Sequence, residues 1–204
     1  MKTGPKYKLA KRLGASIFEK TQGQKFALSQ ERSAMNKKGG RGRGPSEFGK
    51  QLLEKQKVRV TYGLSESQFA TYVKNAMGAH GSNPSEILHK QMELRLDNIV
   101  YRLGLASTRR FARQMVSHGH ITVNGTKSTI PSQAIKVGDV IAVREGSKSR
   151  VPFENFTERF AERPLASWLK WDPKQMTGGL TEVPTSEATG TAGDLPMVLS
   201  FYSR

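Results

Sequence analysis

The chain has 204 residues, of which 33 are Lys or Arg and 17 are Asp or Glu, for a formal net charge of +16, with 36% apolar residues and no cysteine. The absence of cysteine excludes disulfides, Cys-based zinc sites, iron–sulfur clusters and Cys nucleophiles, and fits a reducing, cytoplasmic setting. The length allows one large or two small domains, with small cores under a charged surface.

No apolar run approaches the ~18 residues of a membrane span, and Met1-Lys2-Thr3-Gly4-Pro5-Lys6-Tyr7-Lys8 lacks the apolar centre of a signal peptide. A soluble, unexported protein with no membrane span is expected. Residues 1–60 carry 16 basic and 4 acidic side chains, residues 61–150 carry 12 and 6, and residues 151–204 carry 5 and 7. A basic arm of this kind suits a polyanion, because each phosphate it neutralises releases condensed counterions. Nucleic acid is the leading partner and an anionic membrane surface the weaker rival.

Residues 1–44 mix Lys and Arg with Gly and Gln and end in Lys37-Lys38-Gly39-Gly40-Arg41-Gly42-Arg43-Gly44. Such a segment buries too little apolar surface to offset its ordering entropy, so a flexible arm is expected, irregular until a partner holds it. Lys37, Lys38, Arg41 and Arg43 are candidate phosphate contacts. From Pro45 the period becomes helical. Ser46 caps a segment with Phe48, Leu52 and Leu53, and Ser65 with Gln68 forms a capping box before Phe69, Tyr72, Val73, Ala76 and Met77. Asn83-Pro84-Ser85-Glu86 starts another helix, whose apolar positions Leu88, Met92, Leu96, Ile99 and Leu103 run to a stop at Gly104.

The next helix is expected from Ser107 or Thr108 to about His118, with Gly119 ending it. Ile121 and Val123 then alternate with Thr122 and Asn124, Asn124-Gly125 is a hairpin turn, and Lys127–Ile130 returns as a second strand. A third strand is expected at Val140–Val143. Residues 154–170 suggest one more helix, residues 173–196 are rich in Thr, Gly, Pro and Ser, and Met197–Tyr202 is a strand-like apolar run. The fold class is α+β: a helical N-terminal domain plus a small module of two helices packed on a short antiparallel sheet. The expected domains are an arm at 1–44, a helical domain at 45–93 completed by 190–204, the module at 94–157, and a helix and loop extension at 158–189.

On the helix from Thr108, steps of 100° bring Arg109, Arg110, Arg113, Gln114 and Ser117 to one face and Phe111, Ala112, Met115 and Val116 to the other. The helix N-terminus adds unpaired N–H groups and a positive dipole end, both favourable to phosphate. His118, His120, Asn124 and Lys127 follow as donors for sugar and phosphate. His118-Gly119-His120 is not read as a metal site, since no Cys or committed carboxylate accompanies it. A second basic cluster, Lys50, Gln51, Lys55, Gln56, Lys57 and Arg59, leads into Tyr62-Gly63 and offers phosphate, sugar and stacking contacts.

Gly44 to Lys50 nearly spells a phosphate loop, but Gln51 replaces the magnesium-binding hydroxyl, no strand precedes it and Pro45 removes an amide. Glu154, Glu158 and Glu162 share a helical face with interleaved Arg159 and Arg163, which reads as a solvated surface and not as paired acid and base. Asn124-Gly125-Thr126 and Asn155-Phe156-Thr157 match a glycosylation pattern that has no bearing without export.

Gln51 to Arg59 with Tyr62-Gly63, Arg95-Leu96-Asp97-Asn98-Ile99-Val100-Tyr101-Arg102-Leu103-Gly104, Thr108-Arg109, Ala112 to Gly125, Ile130-Pro131-Ser132, Val137 to Ile141 and Phe201-Tyr202-Ser203-Arg204 together resemble the bacterial-type small ribosomal subunit protein four family, across roughly residues 30–204. The resemblance implies primary binding of small-subunit rRNA and neighbouring small-subunit proteins, among them protein five. It also implies a place near the mRNA entrance, a role in early assembly, influence on decoding accuracy and, in some members, binding to their own mRNA. It implies no catalytic residue, metal or cofactor, and either a bacterial or an organellar ribosome fits. Many members carry an N-terminal cysteine zinc knuckle that this chain lacks. Val60, Ser67 and Leu94 stand where Arg is usual, and Phe111 where an acid is common. The module also resembles one appended to pseudouridine synthases and tyrosyl-tRNA synthetases, but nothing outside residues 94–157 reads as a catalytic domain. A free-standing RNA chaperone or translational regulator would use the same surface.

Overall fold

A computed structural model describes residues 4–14, 17–18, 21–37, 46–149, 165–190 and 192–203. In chain order the elements are α1 (Lys6–Leu13), α2 (Gln24–Lys37), α3 (Glu47–Thr61), α4 (Glu66–Gly78), α5 (Pro84–Glu93), α6 (Leu96–Arg102), α7 (Arg109–Ser117), β1 (Ile121–Val123), β2 (Thr126–Ser128), β3 (Val140–Val143), β4 (Leu169–Asp172), β5 (Thr177–Leu180), α8 (Ser186–Thr189) and α9 (Leu195–Tyr202). The fold class is α+β, as expected. The chain divides into two units, residues 1–85 with 191–204, and residues 86–190.

In the first unit, α1 and α2 correct the expectation of an irregular arm. Ala10, Leu13 and Phe26 are buried, and α1 packs on α3, so a few apolar side chains at helical spacing suffice once another helix receives them. Both expected caps form: the Ser46 Oγ accepts the Gly49 N–H at 3.2 Å and the Ser65 Oγ accepts the Gln68 N–H at 3.3 Å. The expected strand at Met197–Tyr202 is instead helix α9. Asp194 caps it through the Met197 N–H at 3.0 Å, Pro196 sits in its first turn, and it packs along α3 with Leu195 and Val198 buried. A six-residue apolar run fits either period, and packing along α3 decides for helix, with Asp194 and Pro196 placed to start it.

In the second unit, α6 and α7 pack on a sheet of order β2-β1-β3-β5-β4, antiparallel throughout. The single helix expected from Asn83 to Leu103 breaks after Glu93. Arg95 is extended and bridges Ala134, while the Leu96 and Asp97 amides donate to the Gln133 and Pro131 carbonyls at 2.9 and 3.1 Å. Asn124 and Gly125 form the hairpin turn with φ of 50° and 79°. Of the expected helix over 154–170, residues 154–164 lie outside the described residues, residues 165–168 are not helical, and Leu169 and Lys170 open strand β4, which pairs with β5 in the segment that reads as loop. The core contains Leu96, Ile99, Leu103, Met115, Ile121, Ile141 and Trp168.

Candidate nucleic-acid interface

Helix α7 starts where the Thr108 Oγ1 accepts the Phe111 N–H at 3.1 Å, so this hydroxyl is used as a cap. Ala112, Met115 and Val116 are buried and Phe111 packs against the same core, as the 100° steps predicted. Arg110, Gln114 and Ser117, spaced 4 and 3 apart, are exposed along the opposite ridge. His118 and Lys127 are exposed beyond the helix C-terminus, and the Lys127 side chain crosses Gly119 (φ 70°) where a Cβ would stand. His120 is half-buried and its Nδ1 lies 3.0 Å from the Ser147 Oγ. Asn124, read as a sugar or phosphate donor, ties the hairpin to β3: its Oδ1 accepts the Val140 N–H and its Nδ2 donates to Asp139, both at 2.8 Å. The Lys136 amide, and then Asn124, hold the Asp139 carboxyl below its ordinary range.

Arg109 and Arg113 depart from the expectation of solvent-facing cations. Both are half-buried in a network rooted in α5 and α6. Arg113 donates to Asp97 through Nε at 2.8 Å and Nη2 at 2.7 Å, and Arg95 grips the same carboxylate at 3.0 and 2.9 Å. Arg102 donates to Glu93 at 3.1 and 2.7 Å, and Asn98 bridges the halves, donating to Glu93 at 2.8 Å and accepting from the Arg109 Nε at 2.9 Å. The Arg109 guanidinium also lies 4.4 Å from the centre of the Tyr101 ring. Two carboxylates thus hold three guanidinium groups directly and a fourth through Asn98, and surplus positive charge remains beside the exposed ridge.

The second basic cluster is placed differently. Gln51, Lys55 and Tyr62 are buried. Gln51 donates to the Ser200 Oγ at 3.1 Å, and the Lys55 ammonium reaches Glu66 at 2.6 Å beneath the Phe201 ring, 4.5 Å from its centre. Burial opposes the charge of Glu66, but Lys55 and the Tyr202 hydroxyl hold its carboxyl below the ordinary range, while burial and Glu66 push the Tyr202 phenol up. Lys57 pairs with Glu54 at 2.5 Å, and Arg59 with Gln56 and Glu66. Gln51 and Lys55 thereby fasten α9; only Lys50 of the cluster is well exposed, beside Glu47 at 3.3 Å. Lys37 closes α2, whereas Lys38, Arg41 and Arg43 lie outside the described residues. Among the described residues no group of three His, Cys, Asp or Glu converges on a metal position, and no helix is long and apolar enough to cross a membrane.

Residues 1–93 match the family described as the ribosomal protein S4/S9 N-terminal domain, and residues 94–141 match the S4 domain. The small ribosomal subunit protein uS4 of Levilactobacillus brevis is 42% identical over 207 residues, spanning 99% of this chain and 98% of that protein. The proteins of the same name from Acetivibrio thermocellus and Roseiflexus castenholzii are each 40% identical over 209 and 203 residues, with 98% or more of both chains covered. The chain belongs to the uS4 family of small ribosomal subunit proteins.

As a uS4 family member it is a ribosomal protein and not an enzyme. Two of the departures from the usual uS4 pattern have a visible place: Leu94 and Phe111 both pack against the core of the second unit. Sequence reasoning missed Arg102 and the acids Glu93 and Asp97 as parts of the site. The signal was there, since Asp97 and Asn98 sit between the core positions Leu96 and Ile99, and a polar pair inside an apolar stretch calls for buried partners.

Proposed function

We propose that this protein is a structural constituent of the small ribosomal subunit that binds small-subunit rRNA through the α7 face of its second unit. The observation that carries the reading is the basic rim itself: Arg110, Gln114, Ser117, His118 and Lys127 exposed beside the half-buried guanidinium groups of Arg102, Arg109 and Arg113. Guanidinium groups suit phosphate, and A-form RNA is recognised largely by shape, phosphate and 2′-hydroxyl contacts. The Gly- and Arg-rich segment Lys37 to Arg43 and Lys50 extend the same chemistry to the first unit. From the uS4 family resemblance come the finer parts of the proposal: early binding during subunit assembly, contact with protein five and with mRNA near the entrance to its channel, influence on accuracy, regulation through its own mRNA, and a cytoplasmic ribosome as its location.

Two measurements test the reading. The protein is expected to sediment with small subunits in high salt. Its binding to transcribed small-subunit rRNA is expected to weaken steeply with salt, by about 0.9 in log K per unit of log salt for each duplex phosphate neutralised. Arg110→Ala with Lys127→Ala, both exposed, is expected to weaken binding about tenfold and lower that slope while leaving stability within about 0.5 kcal/mol per substitution. Unchanged affinity in this double variant would remove α7 from the RNA face.

A further inference from the structure

Glu93 and Asp97 are an anomaly on a face that is to receive phosphate. Each is almost inaccessible, with side chains 0% and 5% exposed, and each spends its charge on arginines that reach the surface, Arg102 at 22% and Arg113 at 29% exposure. On electrostatic grounds alone, two carboxylates under an RNA-binding surface lower its affinity. The hydrogen bonds show what they do instead. A guanidinium is a rigid plane of five N–H donors, so a fork that anchors Nε and Nη2 fixes the direction of the whole group. Glu93 and Asp97 each hold one surface-reaching Arg by such a fork, Arg102 and Arg113, and Asn98, itself held by Glu93, takes the Nε of Arg109. Tyr101 backs the Arg109 plane, and Arg95, buried, completes the grip on Asp97 without reaching the surface.

We infer that Glu93 and Asp97 are positioning residues for RNA, which strengthen phosphate binding by holding Arg102, Arg109 and Arg113 in fixed planes even though their own charge repels phosphate. This rests on the RNA face proposed above. A long cation that is loose in the free protein loses its rotamer freedom on docking, whereas one already forked to a buried carboxylate has lost it on folding. The ordering is thereby moved from the binding step to the folding step.

The sign of one experiment separates this from simple charge. Glu93→Gln raises the net charge by one and breaks the two-oxygen anchor of Arg102, since one acceptor becomes an NH2 facing other donors. If charge governs, the variant binds transcribed small-subunit rRNA more tightly and with a steeper salt slope. If positioning governs, it binds about tenfold more weakly, with a slope no steeper than the parent's, at a temperature where circular dichroism shows it fully folded. Arg113→Lys keeps the net charge and a cation beside Asp97 but loses the fork. Because Arg113 is partly exposed, this variant decides the matter alone if Glu93→Gln does not fold: a several-fold loss of affinity is expected, and parent-like binding would overturn the inference. Tighter or unchanged binding by folded Glu93→Gln would overturn it as well. Arg102→Ala with Arg113→Ala tells the two failures apart. If that double variant binds like the parent, these arginines do not face RNA and the reading of the face fails. If it binds weakly while Arg113→Lys matches the parent, only the positioning role fails.

Discussion

At the scale of single residues, the second unit places polar groups where the helical pattern calls for apolar ones. His89 is 1% exposed, its Nε2 lies 2.5 Å from the Thr189 Oγ1, and the Glu93 network is its neighbour. Burial, joined by the Arg102 charge and opposed by Glu93 and by the Thr185 backbone, pushes the imidazole below its ordinary 6.5. The unfolded chain therefore binds a proton that the folded chain refuses, so this contribution to stability is present above about pH 6.5 and is lost as pH falls below it. The melting temperature is expected to drop between pH 7 and 5, before most carboxylates titrate, and His89→Gln is expected to flatten that drop. An equal pH dependence in parent and variant would show that the imidazole is not held neutral.

Two elements owe their form to partners distant in sequence. Helix α9 lies along α3, where the Asp194 amide meets Glu54 and Ser200 meets Gln51, and its Tyr202 reaches Glu66 at the start of α4 at 2.8 Å. Leu195→Ala is expected to cost about 2–5 kcal/mol by opening a cavity under α9, read as a lower denaturation midpoint. A loss below about 0.5 kcal/mol would mean that this helix contributes little to its unit. β5 carries Gly178 and Gly179 at its centre, which is why it reads as a loop: glycine has poor strand propensity and no side chain to mark a face. A Cβ on Gly178 would meet the Lys170 carbonyl and the Trp171 ring, and one on Gly179 would lie 2.5 Å from the Asp139 carbonyl. Because the obstruction at Gly178 includes main chain, Gly178→Ala is expected to destabilise the unit by about 1–3 kcal/mol, as overpacking does. Protection of the β4–β5 amides should fall with it.

For the whole molecule the governing quantity is the net charge of +16, with a pI near 10.3. Charge of that size attracts any polyanion at low salt, so affinity by itself says little about recognition. Unrelated duplex RNA is expected to compete with small-subunit rRNA at low ionic strength and to lose as salt rises, because its binding rests almost wholly on counterion release while shape and fixed donors persist. Competition binding across a salt series measures this. Equal competition at every salt concentration would reduce the protein to a general polycation.

What was legible in the sequence is what local interactions decide. The Ser46 and Ser65 caps, the Asn124-Gly125 turn, the stop at Gly104 and the core face of α7 each depend on residues within about four positions of one another, and all lie where the pattern puts them. The charge of the chain is also a property of composition alone. Only the tertiary structure decided that Gly178-Gly179 is strand, that the apolar run ending at Tyr202 is helix, that Gln51 and Lys55 are buried against it, and that Tyr62 is buried in the same unit. It also decided that Arg102 and Arg113 are held by acids 9 and 16 residues away. A cation on a helix face looks the same in sequence whether it meets water or a buried carboxylate, because the desolvation and the geometry that distinguish the two exist only once the partner element has folded against it.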